Sequence, residues 1–285
     1  MRILVTGSRG QLGTHMSLLA PQSRHEWFFA DVDELDITDR QAVESFVNRQ
    51  GIQLVVNCAA YTNVDKAESD ETAAMRLNAD AVGYLADAME AVGGSLIHIS
   101  TDYVFGGTMY NIPCTEDMAP NPTGAYGRTK LAGEEAARRC SRTIILRTSW
   151  LYSEYGKNFL LTMRRLTAEK PQVTVVFDQA GTPTYAGDLA RAIFNIIENN
   201  QLEHGGTYNY ANEGVCSWYD FAHEIARQSG NTNCRVLPCH SDEYPSPVKR
   251  PAYSVLDKTK FKMTFHQEIP HWSDGLRRCI SNLER

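Results

Sequence analysis

Met1-Arg2-Ile3-Leu4-Val5-Thr6-Gly7-Ser8-Arg9-Gly10-Gln11-Leu12-Gly13 opens the chain, and this stretch decides the fold. Ile3–Thr6 reads as a strand buried on both faces. Gly7, Gly10 and Gly13 follow it in a G-x-x-G-x-x-G spacing. Glycines there let the backbone bend tightly and approach a pyrophosphate. The helix beginning at Gln11 then turns its free N–H groups and its dipole toward the negative charge. The spacing departs from the standard G-x-G-x-x-G fingerprint and is weak evidence alone. Its place between a first strand and a helix strengthens it against the alternative of a purely structural turn.

Outward from the turn, the first half alternates short apolar runs with longer helical patterns, the mark of βαβ units and a parallel sheet. The expected strands are Ile3–Thr6, Trp27–Ala30, Leu54–Asn57, Leu96–Ser100 and Ile144–Arg147. The expected helices are Gln11–Ala20, Arg40–Gln50, Glu71–Val92 (stopped by Gly93-Gly94) and Tyr126–Cys140. After Trp150 the rhythm changes. Helices are expected at Asn158–Ala168, Gly187–Asn199, Trp218–Gln228 and Trp272–Asn282, with strands at Val173–Phe177 and Thr207–Tyr210. A loop holds Pro238, Pro245, Pro247 and Pro251. The fold class is therefore α/β, a Rossmann-type doubly wound parallel sheet with a smaller C-terminal substrate lobe. Residues 1–150 form the dinucleotide-binding domain. Residues 151–285 form mainly the lobe, with some segments returning to the sheet.

Composition narrows the function. A net charge of −6 without a Lys/Arg run argues against a nucleic-acid surface. No apolar run approaches the roughly 20 residues that span a bilayer, so no membrane partner is expected. The first strand runs straight into the turn and is not a signal peptide. Seven cysteines without framework spacing suggest free thiols and a cytoplasmic location. Cys234 and Cys239-His240 lack two further matched ligands, so no metal site is expected.

The residues lining a dinucleotide can be named. Gly7, Arg9, Gly10, Gln11, Leu12 and Gly13 form the turn. Asp31 ends the second strand, where a carboxylate accepts hydrogen bonds from the adenosine ribose and favours NAD. Arg9 instead favours a 2′-phosphate, so either NADPH or NADH is expected. Asp36-Ile37 borders the adenine. Ala59-Ala60-Tyr61-Thr62 lies where the cofactor crosses the sheet edge, although plain strand-end packing explains the alanines equally well.

Tyr126 and Lys130 form a Y-x-x-x-K pair. On a helix the two lie on one face, so the ammonium is expected to stabilise the phenolate and bring its proton exchange down from ~10 toward neutral. Lys130 would also hold the nicotinamide ribose. Beside a hydride carrier, Tyr126 becomes the general acid of a ketone reduction. Ser100 and Thr101 end the fourth strand, where ligand contacts gather. They point to opposite faces, so only one hydroxyl reaches the cleft. Arg250 is a candidate for a diphosphate, because a guanidinium fork matches phosphate oxygens. A surface arginine is the alternative.

Segments 56–68, 100–105, 126–134, 147–152, 178–184 and 250–257 together resemble the extended short-chain dehydrogenase/reductase family, and within it the dTDP-4-dehydrorhamnose reductases. The likeness runs nearly end to end. It implies a triad of Thr101, Tyr126 and Lys130, and substrate contacts from Thr101, Asp102 and Trp150, whose indole suits the C–H face of a deoxysugar. It implies a sugar-nucleotide substrate and reduction of the C4 ketone of dTDP-4-dehydro-L-rhamnose. Some members pair through magnesium held by glutamates. Here His15 stands at one such position, and Gly187-Asp188-Leu189 offers no glutamate for another. A monomer or homodimer without a bridging metal is therefore expected. A sugar-nucleotide dehydratase would carry an Asp-Glu pair after the threonine, whereas Asp102 is followed by Tyr103. An epimerase, or a non-catalytic regulatory subunit of methionine adenosyltransferase, is the other alternative.

Overall fold

In the first strand, Ile3 and Val5 join the apolar cluster on one face of a sheet and Leu4 joins that on the other. Leu54 and Val56 against Val55, and Ile144 and Leu146 against Ile145, repeat the pattern. Strands buried on both faces need helices on both faces, and the chain supplies them. The computed structural model describes residues 1–106, 111–244, 246 and 248–284, so Pro245 and Pro247 lie outside the described residues.

The first half runs β1 (Arg2–Thr6), α1 (Gln11–Leu19), β2 (Glu26–Ala30), α2 (Arg40–Gln50), β3 (Leu54–Asn57), α3 (Val64–Ser69), α4 (Glu71–Met75), a π-helical turn (Arg76–Asp80), α5 (Ala81–Ala91), β4 (Ser95–Thr101), α6 (Ala125–Ala137) and β5 (Thr143–Thr148). The remainder adds β6 (Leu151–Tyr152), α7 (Phe159–Glu169), β7 (Gln172–Val176), β8 (Ala180–Gly181), β9 (Thr184–Tyr185), α8 (Ala186–Glu198), β10 (Gly206–Asn209), β11 (Cys216–Ser217), α9 (Trp218–Gln228), β12 (Arg235–Cys239), α10 (Thr259–Phe265) and α11 (Trp272–Leu283).

Six strands form the main sheet in the order β10-β5-β4-β3-β1-β2, every pair parallel. The chain winds outward in opposite directions from β1 and β3. The carboxyl ends of these strands therefore open a crevice, the general ligand site of doubly wound sheets. Helices α1 and α8 pack together on one face, and α2, α5 and α6 cover the other. A separate cluster around Tyr152, Leu160, Phe221 and Leu276 holds α7, α9 and α11.

Two sequence expectations change. The helix expected over Glu71–Val92 contains the π-helical turn at Arg76–Asp80, an irregularity of the kind found at functional sites. Pro238 is not in a loop. It lies in β12, paired only with β7, and a two-stranded ribbon leaves an edge where its missing N–H costs nothing. The expected strand Thr207–Tyr210 is β10, the edge strand of the main sheet, so the chain returns there after leaving it at β5.

Candidate active site

A cleft of about 960 Å³ runs along the carboxyl ends of the central strands, from the glycine turn to Trp218 and Arg250. That volume suits an extended ligand. Gly7 has φ +62, and a Cβ there would sit 2.7 Å from Ala59 backbone atoms, so only glycine fits. A Cβ on Gly13 would lie 2.3 Å from the Gly7 carbonyl oxygen. Gly13 is thus not on the cleft wall; it lets α1 press against the turn. Gly10 caps α1 with no side-chain hydrogen bond, and Gly10, Gln11 and Leu12 line the cleft. This is a backbone cradle that fits a pyrophosphate.

Beyond the turn, Asp31, Asp36, Ile37, Ala59, Ala60 and Thr62 also line the cleft. Besides Gly13, two expected residues do not. The Arg9 guanidinium is bound by Asp33 at 2.6 Å and by Glu34, away from the cleft wall. Local sequence shows its charge but not these partners. The Tyr61 backbone exchanges hydrogen bonds with Asn78 at 2.8 and 3.1 Å, and Tyr61, like Tyr126, packs against Ala67, Ala74 and Ala125. Arg76, which sequence reading missed, lines this end and donates to Thr38 Oγ1 at 2.7 Å.

At the centre, β4 delivers Ser100 and Thr101 to opposite faces. The Ser100 hydroxyl turns away and donates to buried Glu134 at 2.7 Å. Thr101 Oγ1 donates to Asp102 at 3.1 Å and adjoins the Tyr126 phenol. Asp102 is buried and also accepts from Ser254 at 2.6 Å. Burial pushes its carboxyl up to about 6 despite those hydrogen bonds. Tyr126 meets Tyr103 edge-on at 5.4 Å.

The expected activation of Tyr126 by Lys130 is corrected here. Burial pushes the phenol upward, opposed by the Thr101 hydroxyl, and Lys130 is not among the groups that move it. The Lys130 ammonium instead donates to the Ile99 carbonyl at 2.7 Å. Burial lowers it to about 8, against the attraction of Glu134. One face of α6 thus carries a phenol that holds its proton and a lysine that keeps its charge only up to about 8.

At the far end, Trp150 stacks on Trp218 with ring centroids 3.6 Å apart, so one indole face is already covered. Gly181 packs against the same indole; a Cβ there would lie 2.6 Å from it. Trp218 was missed in the sequence, where it reads only as the start of α9. Arg250 lines the cleft but donates to Asp65 at 3.2 Å.

Behind the site, Glu134 accepts from Arg147 Nε and Nη2, both at 2.8 Å, and all of this is buried. Glu68 reaches from α3 to the Ala125 N–H at the start of α6, at 2.5 Å. Helix α6 is thereby fixed at its start and its middle. His15 contacts Glu154 at 3.0 Å, and Tyr185 and Asn282 donate to the same carboxylate at 2.6 and 2.7 Å. Burial pushes Glu154 up, but these hydrogen bonds outweigh it and hold it at about 2. The described residues contain no group of three His, Cys, Asp or Glu placed to hold a metal ion. None of the described helices is long and apolar enough to cross a membrane.

The family defined by the RmlD substrate binding domain matches residues 1–285. A dTDP-4-dehydrorhamnose reductase of Mycolicibacterium smegmatis is 39% identical over 282 residues, 98% of this chain and 85% of that one. The crystal structure of a dTDP-4-dehydrorhamnose reductase from Clostridium acetobutylicum superposes with a TM-score of 0.95 at 40% identity, covering 100% of both chains. That of the Bacillus anthracis reductase in complex with NADP gives 0.92 at 36% identity, covering 99% of both. The chain belongs to the RmlD substrate binding domain family, with these dTDP-4-dehydrorhamnose reductases among its relatives.

Proposed function

We propose that this chain is an NAD(P)H-dependent oxidoreductase that reduces the C4 ketone of dTDP-4-dehydro-L-rhamnose to dTDP-L-rhamnose. One observation carries the reading. Thr101, Tyr126 and Lys130 line one cleft at the carboxyl end of β4, together with Gly7, Gly10 and Gln11 of the glycine cradle.

Gly7, Gly10, Gln11 and Leu12 would hold the pyrophosphate, Asp31 the adenosine ribose, and Asp36 and Ile37 the adenine. Ala59, Ala60 and Thr62 flank the crossing, and Lys130 takes the nicotinamide ribose. A reduced nicotinamide bound there supplies a hydride. Thr101 hydrogen-bonds the substrate's C4 oxygen, and Tyr126 gives it a proton as the alkoxide develops. A phenol held protonated by burial is suited to that donation, because the proton leaves only when a strong base forms beside it. Trp150 and Trp218 wall the sugar end. Arg250 exchanges Asp65 for the diphosphate, whose binding energy holds the ketone in place.

Lys130 also sets a pH limit. Its ammonium persists below about 8 and is lost above it. Hence kcat/KM of the free enzyme should fall roughly tenfold per pH unit above that point. Lys130→Arg should move the limb upward, since a guanidinium does not deprotonate. A profile flat to about pH 10 would reject a required ammonium.

The function itself is tested by incubating the chain with the ketone and a reduced cofactor. A reductase consumes one cofactor per product. An epimerase consumes none, and a dehydratase would release water from dTDP-glucose. The missing second carboxylate, Tyr103 in place of an acid after Asp102, favours the reductase.

A further inference from the structure

Thr101 has one hydroxyl proton, and in this structure it is already committed. Thr101 Oγ1 donates to Asp102 Oδ1 at 3.1 Å and accepts from the Tyr103 N–H at 3.2 Å. To donate to a ketone oxygen in the cleft, the hydroxyl must turn its proton away from Asp102. That takes a donor from a carboxylate only 1% exposed, and an ionised carboxylate has no proton of its own to offer. A buried charge short of a donor is costly. Asp102 therefore needs a second partner that stays in place.

Ser254 is placed to be that partner. Its hydroxyl donates to the other carboxylate oxygen, Oδ2, at 2.6 Å, and the residue is 2% exposed. Among the hydrogen bonds that hold the carboxyl down against burial, this one is the largest, ahead of Thr101 and of the Asp102 and Tyr103 backbone N–H groups. The segment carrying Ser254 is fixed on both sides. The Ser254 N–H donates to the Ala180 carbonyl at 3.0 Å, and the Ala180 N–H donates to the Ala252 carbonyl at 2.8 Å. On the other side, the Val255 carbonyl accepts from the Cys114 N–H at 2.7 Å. Gly181, next to Ala180, packs on the Trp150 indole, so the wall of the sugar end and the anchor of Asp102 share one support. Asp102 and Thr101 line the cleft, whereas Ser254 stands behind them.

We propose that Ser254 is a positioning residue for the reduction: by holding Asp102, it lets Thr101 turn its one proton to the substrate's ketone oxygen. The role rests on the proposed ketone reduction.

The test is a double-mutant cycle on the full chain. The rate kcat is measured for reduction of dTDP-4-dehydro-L-rhamnose and normalised to the sites that bind reduced cofactor. Ser254→Ala should lower kcat about tenfold, with cofactor affinity unchanged. In a Thr101→Val background, which has no proton to turn, the same substitution should change kcat by less than about twofold. A serine needed only for packing would cost the same in both backgrounds. Ser254→Cys keeps the size and is a weaker donor, so its kcat should fall between those of the parent and Ser254→Ala. It serves the same cycle if the alanine variant does not fold. Parent-like turnover of Ser254→Ala overturns the role, as do equal losses with and without Thr101 for either variant. A parent chain that oxidises no reduced cofactor with the ketone overturns the proposed function instead, so the two failures are distinct.

Discussion

Tyr126→Phe should lower kcat by about 10²-fold or more while leaving the fold and cofactor affinity intact. The Tyr126 ring packs on Tyr103 and on the small residues Ala67, Ala74 and Ala125. Phenylalanine keeps the ring and removes the proton. Steady-state rates with the 4-keto sugar nucleotide, beside cofactor titrations of parent and variant, check this. A variant that turned over like the parent would remove Tyr126 from the chemistry. Loss of both rate and cofactor binding would indicate a role in building the cleft instead. Thr101→Val should cost less, because Thr101 supplies a hydrogen bond and not the transferred proton.

The largest effect on stability belongs to the ion pair behind the site. Arg147→Met removes two hydrogen bonds from Glu134 and leaves that buried carboxylate with the Ser100 hydroxyl at 2.7 Å and the half-exposed Arg138 guanidinium at 3.4 Å as its remaining partners. Stranding one member of a buried pair costs about 3–5 kcal/mol. The urea midpoint should therefore drop sharply. The double variant Arg147→Met with Glu134→Leu should recover much of the loss, since the uncompensated charge is gone. Additive losses in the double variant would mean that the side chains matter through packing and not through charge. The recovered protein should still be a poorer catalyst above neutral pH. Glu134 is the group that opposes the burial-driven lowering of Lys130, and without it the ammonium is lost at lower pH.

The parallel sheet was legible because it is written locally. Apolar runs such as Leu54–Asn57, a glycine turn and the Gly93-Gly94 stop act on their own neighbourhoods. That Tyr126 and Lys130 reach one cleft was legible for the same reason, since they lie one helical turn apart. What stayed hidden depends on partners distant in the chain. Ser254 holds Asp102 across 152 positions, and Trp218, at the start of α9, covers a face of Trp150. Arg9 reads as a free cation until the loop after β2 brings Asp33 and Glu34 to it. The phenol of Tyr126 was read through its charge partner alone. Burial, which sequence spacing does not report, proved the larger influence. Pro238 was misread as a loop marker because edge and central strands look alike in sequence, and only pairing tells them apart.

The central claim is that the cleft brings a ketone's C4 to a hydride donor while Tyr126 supplies the proton. The most direct measurement is isotopic. Reduced cofactor carrying deuterium at its reactive carbon is incubated with the chain and dTDP-4-dehydro-L-rhamnose, and the product is read by NMR. The account predicts dTDP-L-rhamnose with one deuterium at sugar C4, in a single configuration, and one cofactor oxidised per sugar. Deuterium at another carbon, or a changed sugar with no cofactor oxidised, would contradict it.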